Sequence, residues 1–506
     1  MRVPASSDTN SNSNLVCFNE PTSVLDLRRS PSPSPSTAEE KPLLVSDQFP
    51  LDDDDHGMRC SMDWDSIMKE LDLDDDNLKP NFPSSPHFST AADPPLLPIF
   101  PDQLHPPEFP AGHGYGFNNE GGGGLDFVED LIRVVNYVDS DELQLAQVIL
   151  SRLNQRLRSP TGRPLERAAF YFKEALGSLI TGTNRNQNRL SSWSDIVQKI
   201  RAIKEFSGVS PIPLFSHFTA NQAILDSLTR QQQHQSSSSS SSSPPFAHVV
   251  DFEIGFGAQY ASLMREIAEK SVSGIRFLRV TAVVTEDSAV ETRLVKENLA
   301  QFAADLEIQF QIEFVLMRTF EVLSLKSIRF VDGERTVVLI SPVILRRLNG
   351  ISGFVYDLRR VSPEVVVFVD SEGCWTGISG GAGSFQREFV SGLEFYTTVF
   401  ESLDAAVAGG GGDLVKKIIE TFVLRPKIAS AVETAANKRG GEMMTWQEAF
   451  CAAGMRMVPL SQFVDFQAEC LVEKAQVRGF HVAKRQGELF LCWHERPLIA
   501  TSAWRF

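Results

Sequence analysis

The stretch His248-Val-Val-Asp-Phe-Glu-Ile-Gly-Phe-Gly-Ala-Gln259 carries the residue types and spacing closest to chemistry. It reads as an apolar strand, then Gly255-x-Gly257, then a helix start. In a doubly wound sheet such a turn is where ligands bind, because glycine lets the backbone approach them and a helix N-terminus favours anions. Asp251 and Glu253 add carboxylates beside it. The same residues also have a structural reading. Tight turns need glycine in any case, Asp251 and Glu253 can orient the turn, and His248 on a buried strand can be a hydrogen-bonded core histidine.

Glu253-x-Gly255-x-Gly257-x-Gln259 resembles the first motif of S-adenosylmethionine-dependent methyltransferases. That resemblance implies an acid from Thr285-Glu286-Asp287 on the cofactor's ribose. Gln259 stands where the motif has a third glycine, and its side chain takes up space that a cofactor needs. After the fifth strand, Asp370-Ser-Glu-Gly-Cys-Trp375 holds candidate groups but no acid, base and nucleophile set. The nine histidines form no metal pair, and cysteines 17, 60, 374, 451, 470 and 492 include no two at zinc-ligand spacing. The expectation is a retained fold without its original chemistry: no catalytic residue, no cofactor and no metal.

The elements that must position this turn are readable from periodicity. Helices are expected at Phe127–Val138, with Asp139 or Ser140 capping the next, and at Leu165–Leu179, Trp193–Phe206 and Phe215–Leu228. In the second helix Leu143, Leu150 and Leu157 recur every seven residues, with Leu145, Ile149 and Leu153 on the same side; this stripe is either bundle core or a partner groove. Gln231–Ser243 reads as a loop. Then β-branched runs at Ala247–Phe252, Phe277–Val284, Phe310–Val315, Thr336–Ile340 and Val365–Asp370 alternate with helical stretches at Ala258–Glu269, Ala289–Leu306 and Phe385–Leu403. Continuous apolar strands separated by helices predict a mostly parallel, Rossmann-like α/β sheet covered on both faces. Phe480–Lys484 and Leu489–Trp493 around Gly487 predict a closing antiparallel hairpin, and the early helices a cap.

Charge divides the chain. Residues 1–124 hold 21 Asp and Glu against 7 Lys and Arg, whereas 125–506 hold 43 against 41. The first part, with its Ser-Pro repeats, aspartate runs and glycines, reads as a disordered acidic tail. Within it Trp64, Ile67, Met68 and Leu71 fall on one helical face, a stripe suited either to a partner's groove or to the chain's own domain. A near-neutral second part argues against a dedicated DNA-binding domain, since duplex affinity comes largely from basic residues on phosphates. Met1–Asn14 lacks the apolar core of a signal peptide, and no run is long enough to span a membrane. A soluble intracellular protein with free thiols is expected.

The order of segments resembles the GRAS family over 125–506. His248-Val249-Val250-Asp251, followed by Phe252, resembles the VHIID motif, and Pro213–Leu225 the end of the first leucine-rich region. Leu299, Phe302 and Leu306 stand in place of the second. Arg387–Asp404 resembles the PFYRE region, and Trp493 with Ser502-Ala503-Trp504 the SAW motif. Phe18–Asp26 and Ser61–Leu71 resemble the Hairy-meristem-related branch. An Arg-Val-Glu-Arg element is missing, with Leu424-Arg-Pro-Lys427 nearby, and DELLA-type sequences are absent.

The resemblance implies a helical cap at about 125–230, a VHIID core at 246–285, a second leucine-rich region at 286–330, a PFYRE region at 331–425 and a SAW region at 440–506. It implies a methyltransferase-related fold and a nuclear transcription regulator in plant development that contacts transcription factors, co-regulators or other GRAS proteins. Direct DNA binding and methyl transfer stay open as alternatives. Nuclear location rests on the resemblance alone, because Arg28-Arg29 is too short for a nuclear-localisation cluster.

Overall fold

The computed structural model describes residues 126–182, 192–235, 246–269, 275, 277–286, 288–348, 351–371, 385–407, 412–437 and 446–506, and among these described residues five helices precede the first strand. They are α1 (Asp126–Asp139), α2 (Leu143–Arg156), α3 (Pro164–Thr181), α4 (Trp193–Val209) and α5 (Pro211–Gln235). Neither Asp139 nor Ser140 caps α2: the chain turns through Asp141 at φ 61°, and Glu142 takes the cap position without a side-chain bond. The expected loop at Gln231 begins later, since α5 runs on through Gln235. Glutamine is a good helix former, so a helix already nucleated by the apolar run before it propagates through them. Residues 236–245 and the Trp64, Ile67, Met68 and Leu71 stripe lie outside the described residues.

The alternating half follows as β1 (Phe246–Asp251), α6 (Ala258–Glu269), β2 (Phe277–Val284), α7 (Ala289–Asp305), β3 (Gln309–Leu316), α8 (Met317–Leu323), β4 (Glu334–Ile340), α9 (Pro342–Arg347), α10 (Ile351–Val361) and β5 (Val365–Asp370). Then come α11 (Phe385–Ala406), α12 (Gly412–Ile419), a π-helical turn at Glu420–Leu424, α13 (Arg425–Asn437), α14 (Trp446–Ala452), β6 (Arg456–Val458), α15 (Gln462–Lys474), β7 (Phe480–Arg485), β8 (Glu488–Trp493) and β9 (Arg496–Arg505).

The sheet order is β3-β2-β1-β4-β5-β9-β8-β7, with β6 beside β9. Neighbours from β3 to β5 are parallel; β5–β9, β9–β8, β8–β7 and β6–β9 are antiparallel. The hairpin β7–β8 forms around Gly487 as expected, but β9, rather than the hairpin, pairs with the parallel sheet.

Strands buried on both faces need two apolar covers. On one face Val250, Phe252, Ile340 and Phe368 pack with Phe320 of α8, Phe354 of α10, and Trp446 and Phe450 of α14. The other is covered by α5, whose Thr219 hydroxyl shares a 2.7 Å hydrogen bond with Thr501 of β9. The helical cap is tied down by Arg167 of α3. Arg167 is buried, and its guanidinium donates two bonds to Asp404 at 3.1 and 2.8 Å and one to Glu420 at 2.9 Å.

Candidate functional site

The turn between β1 and α6 is built as the glycine spacing requires. Gly255 and Gly257 take φ 55° and 80°, a region that residues with a Cβ adopt at a cost. The Gly257 N–H donates to the Ile254 carbonyl at 3.0 Å, and the Gly257 carbonyl accepts from Tyr260 at 2.9 Å to open α6. Gly257 is needed twice over, because a Cβ there would lie 2.9 Å from Leu299 Cδ1. Leu299, which stands in place of the second leucine-rich region, is fully buried and fills the back of the turn.

Asp251 orients this turn. Its Oδ1 accepts from the Glu253 N–H at 2.7 Å and its Oδ2 from the Tyr260 hydroxyl at 2.8 Å. Burial pushes its carboxyl up to about 6, against the two donors that favour the charged form. Glu253 lies at the rim, 3.3 Å from Lys427 of α13. That lysine belongs to Leu424-Arg-Pro-Lys427, so the segment standing where another motif was expected reaches the turn.

His248 points to the other face of β1 and is fully buried. Its Nε2 lies 2.9 Å from Thr281 Oγ1, its Nδ1 3.3 Å from Glu334, and its ring 5.7 Å from Phe330. Burial and the neighbouring Arg279 hold its pKa at about 4, so the ring is neutral at pH 7. Val249 and Val250 are fully buried, and Phe252 packs on Phe320 and Phe354. His248, Val249 and Val250 therefore build the sheet, whereas Asp251 and Phe252 border the cavities beside the turn.

Two cavities flank the turn. The larger, about 220 Å³, lies between α4, α5 and the ends of β1, β4 and β5, and is lined by His217, Glu253, Gln259, Ser341 and Lys427 among apolar residues. The smaller, about 160 Å³, lies on the β2 side against Thr285, Glu291 and Met317. These residues do not fit S-adenosylmethionine. Each cavity is smaller than the roughly 300 Å³ at which pockets for drug-sized ligands begin. The Gln259 side chain lines the larger one, and Glu286 accepts from the Arg318 N–H at 3.2 Å and pairs with its guanidinium at 3.5 Å. Asp287 lies outside the described residues.

The remaining sequence-derived positions separate. Leu150 and Leu157 are buried at 7% each, whereas Leu143 is 38% exposed. Leu145 lies on the side of Ile149 and Leu153 but at its edge in the first turn of α2, 47% exposed, next to Val148 at 63%. At about 100° per residue Leu145 falls roughly 40° from Ile149, at the edge of the buried stripe, and Val148 falls about 60° further out on the solvent side. Trp504 stacks edge-on with Trp446 and Phe450, and its indole N–H donates to Ser502 Oγ at 3.0 Å. Ala503 pairs with Val367 in the sheet, and Trp493 packs on Phe480. The Pro213–Leu225 stretch proves to be a set of ties: Asn221 donates to the Gln259 carbonyl and to Ser262, and Gln222 bonds Glu266. Among the described residues no group of three or more His, Cys, Asp or Glu could hold a metal, and no helix is long and apolar enough to cross a membrane.

Fold and site together define an α/β protein with a mostly parallel, doubly wound sheet whose glycine turn is packed against its own helices. Residues 127–505 match the GRAS domain family, and the chain belongs to that family. It is 68% identical to Scarecrow-like protein 15 of Arabidopsis thaliana over 94% of this chain and 99% of that protein. It is 35% identical to Scarecrow-like protein 6 of the same plant over 76% of this chain and 63% of that protein. Among solved structures, SCL7 of Oryza sativa superposes with a TM-score of 0.54 at 25% identity, covering 75% of this chain and 99% of that one.

Proposed function

We propose that this chain is a nuclear transcription regulator of plants that acts by binding other proteins rather than by catalysis. The observation that carries this reading is the family match along 127–505. Relatives named Scarecrow, DELLA and nodulation-signalling proteins support a regulatory role. The packed turn is consistent with it, because a cofactor seat has been given over to holding α6 and α7.

The outer face of α2, with Leu145 and Val148 exposed, is a surface for partners such as DNA-binding factors or a second GRAS protein. The acidic tail, through Trp64, Ile67, Met68 and Leu71, recruits a co-regulator. Tethering the full chain to a reporter promoter through a foreign DNA-binding domain tests the function. A change in transcription, lost when Trp64 and Leu71 become alanine, agrees with it. A chain that binds DNA by itself, with a steep salt dependence, would instead make it a direct DNA binder.

A further inference from the structure

A serine followed by proline is the step that proline-directed protein kinases modify, provided the chain around it can lie extended in their cleft; otherwise local unfolding must come first. Among the described residues that step occurs four times, at Ser159-Pro160, Ser210-Pro211, Ser341-Pro342 and Ser362-Pro363. Ser210 and Ser341 are buried, at 3% and 7% exposure. Ser362 is exposed but locked at the end of α10. It sits at φ 53°, its N–H donates to the Leu358 carbonyl at 2.9 Å, Pro363 is buried, and the Glu364 N–H is tied to the Thr336 carbonyl of β4 at 2.8 Å. Of the four, Ser159 meets the condition. It lies in the irregular stretch 157–163 between α2 and α3, exposed together with Arg158 and Thr161. Its hydroxyl shares a 3.1 Å hydrogen bond with that of Thr161, and its carbonyl accepts from the Thr161 N–H at 2.9 Å. Both bonds are local, so residues 158 to 161 can extend without opening a helix.

The charge around Ser159 suits a phosphate. Residues 151–163 hold Arg152, Arg156, Arg158 and Arg163 and no acidic residue. Arg156 is paired with Asp126 and Asp130, at 3.6 and 3.8 Å. Arg152, Arg158 and Arg163 are exposed and make no ion pair among the described residues. Glu166, the acid that faces this loop, is engaged: its Oε2 accepts from the Arg163 N–H at 2.9 Å to start α3. A phosphate on Ser159 would add a charge of about −1.5 to −2 and three strong acceptor oxygens. Arg158 and Arg163 flank it in the chain, and a guanidinium pairs with phosphate through two parallel N–H donors.

We propose that Ser159 is a phosphorylation site for a proline-directed protein kinase, with Arg158 and Arg163 receiving the phosphate. The Ser159 hydroxyl oxygen attacks the γ-phosphorus of ATP, and the bond from that phosphorus to the β–γ bridging oxygen breaks. ADP leaves, and the hydroxyl proton passes to the kinase's catalytic carboxylate. This goes beyond the proposed function and does not rest on it. The test incubates the full chain with a purified cyclin-dependent kinase and ATP, and follows phosphate at each serine by mass spectrometry. Each rate is divided by that of a synthetic peptide with the same flanking residues, which removes sequence preference. On that scale Ser159 should be modified at least about tenfold faster than Ser362, which must first open locally. Phosphorus NMR then reads the seat. The Ser159 resonance, identified by its absence from the Ser159→Ala chain, should titrate below about 6, the ordinary second pKa of phosphoserine. It should return toward that value when Arg158→Ala and Arg163→Ala are combined. All three residues are exposed, so these substitutions leave the fold in place. No phosphate on Ser159, a scaled rate no faster than that of Ser362, or a titration that the arginines do not alter would each overturn the inference.

Discussion

Asp251 is 2% exposed, yet its carboxylate holds together a strand end, a turn and a helix. Its pKa of about 6, against an ordinary 3.8, means the folded chain keeps this proton at pH values where the unfolded chain has lost it. Stability from this group is therefore complete below about pH 4 and is lost as pH rises through about 6, by up to roughly 3 kcal/mol. His217 and His248, held near 4 from 6.5, act in the opposite sense, with stability growing as pH rises from 4 to 6.5. Asp251→Asn matches the protonated acid in shape. Relative to the parent chain it should gain up to about 3 kcal/mol between pH 4 and 7 in urea unfolding, leaving the histidines to set the slope. A difference between the two chains that stays constant over that range would contradict this account. At the same scale, Arg167→Met leaves Glu420 buried without its cation and should cost about 3–5 kcal/mol, read as a lowered midpoint.

The helix α2 separates packing from recognition. Leu150→Ala opens a hole in the cap and should cost about 2–5 kcal/mol. Leu145→Glu and Val148→Glu change stability by no more than about 0.5 kcal/mol while reducing partner capture, if the outer face is the binding face. Equal loss of stability in both sets would show that the outer face is packed. The strand β9 is the other decisive element. Trp504→Ala removes the ring shared with Trp446 and Phe450 and should cost about 3–5 kcal/mol in thermal or urea unfolding.

Much of the element level was readable because β1, β2 and β5 are short runs of Val and Phe that propensity and periodicity both mark. The strand β9 was not, because Arg496-Pro497 and the small residues Ala500 to Ala503 carry weak strand signals; the unpaired edge of β5 fixes their conformation. Leu145 sits on the expected side of α2, but its place at the edge of the stripe and in the first turn leaves it exposed, which spacing alone does not show.

Across the whole molecule, the site assembles residues that sequence spacing cannot join. His217 comes from α5, Ser341 from the end of β4 and Lys427 from α13, and all three meet at a turn flagged only by its glycines. The motif residues drew attention to the right turn, but most of them serve the core. The turn uses its glycines for geometry, with Leu299 packed behind Gly257 and Gln259 beside the larger cavity. The direct measurement of this claim is calorimetric titration of S-adenosylmethionine into the full chain, with S-adenosylhomocysteine as competitor. The account predicts no saturable heat into the millimolar range. Saturable micromolar binding that the competitor displaces would contradict it and return methyl transfer to the front.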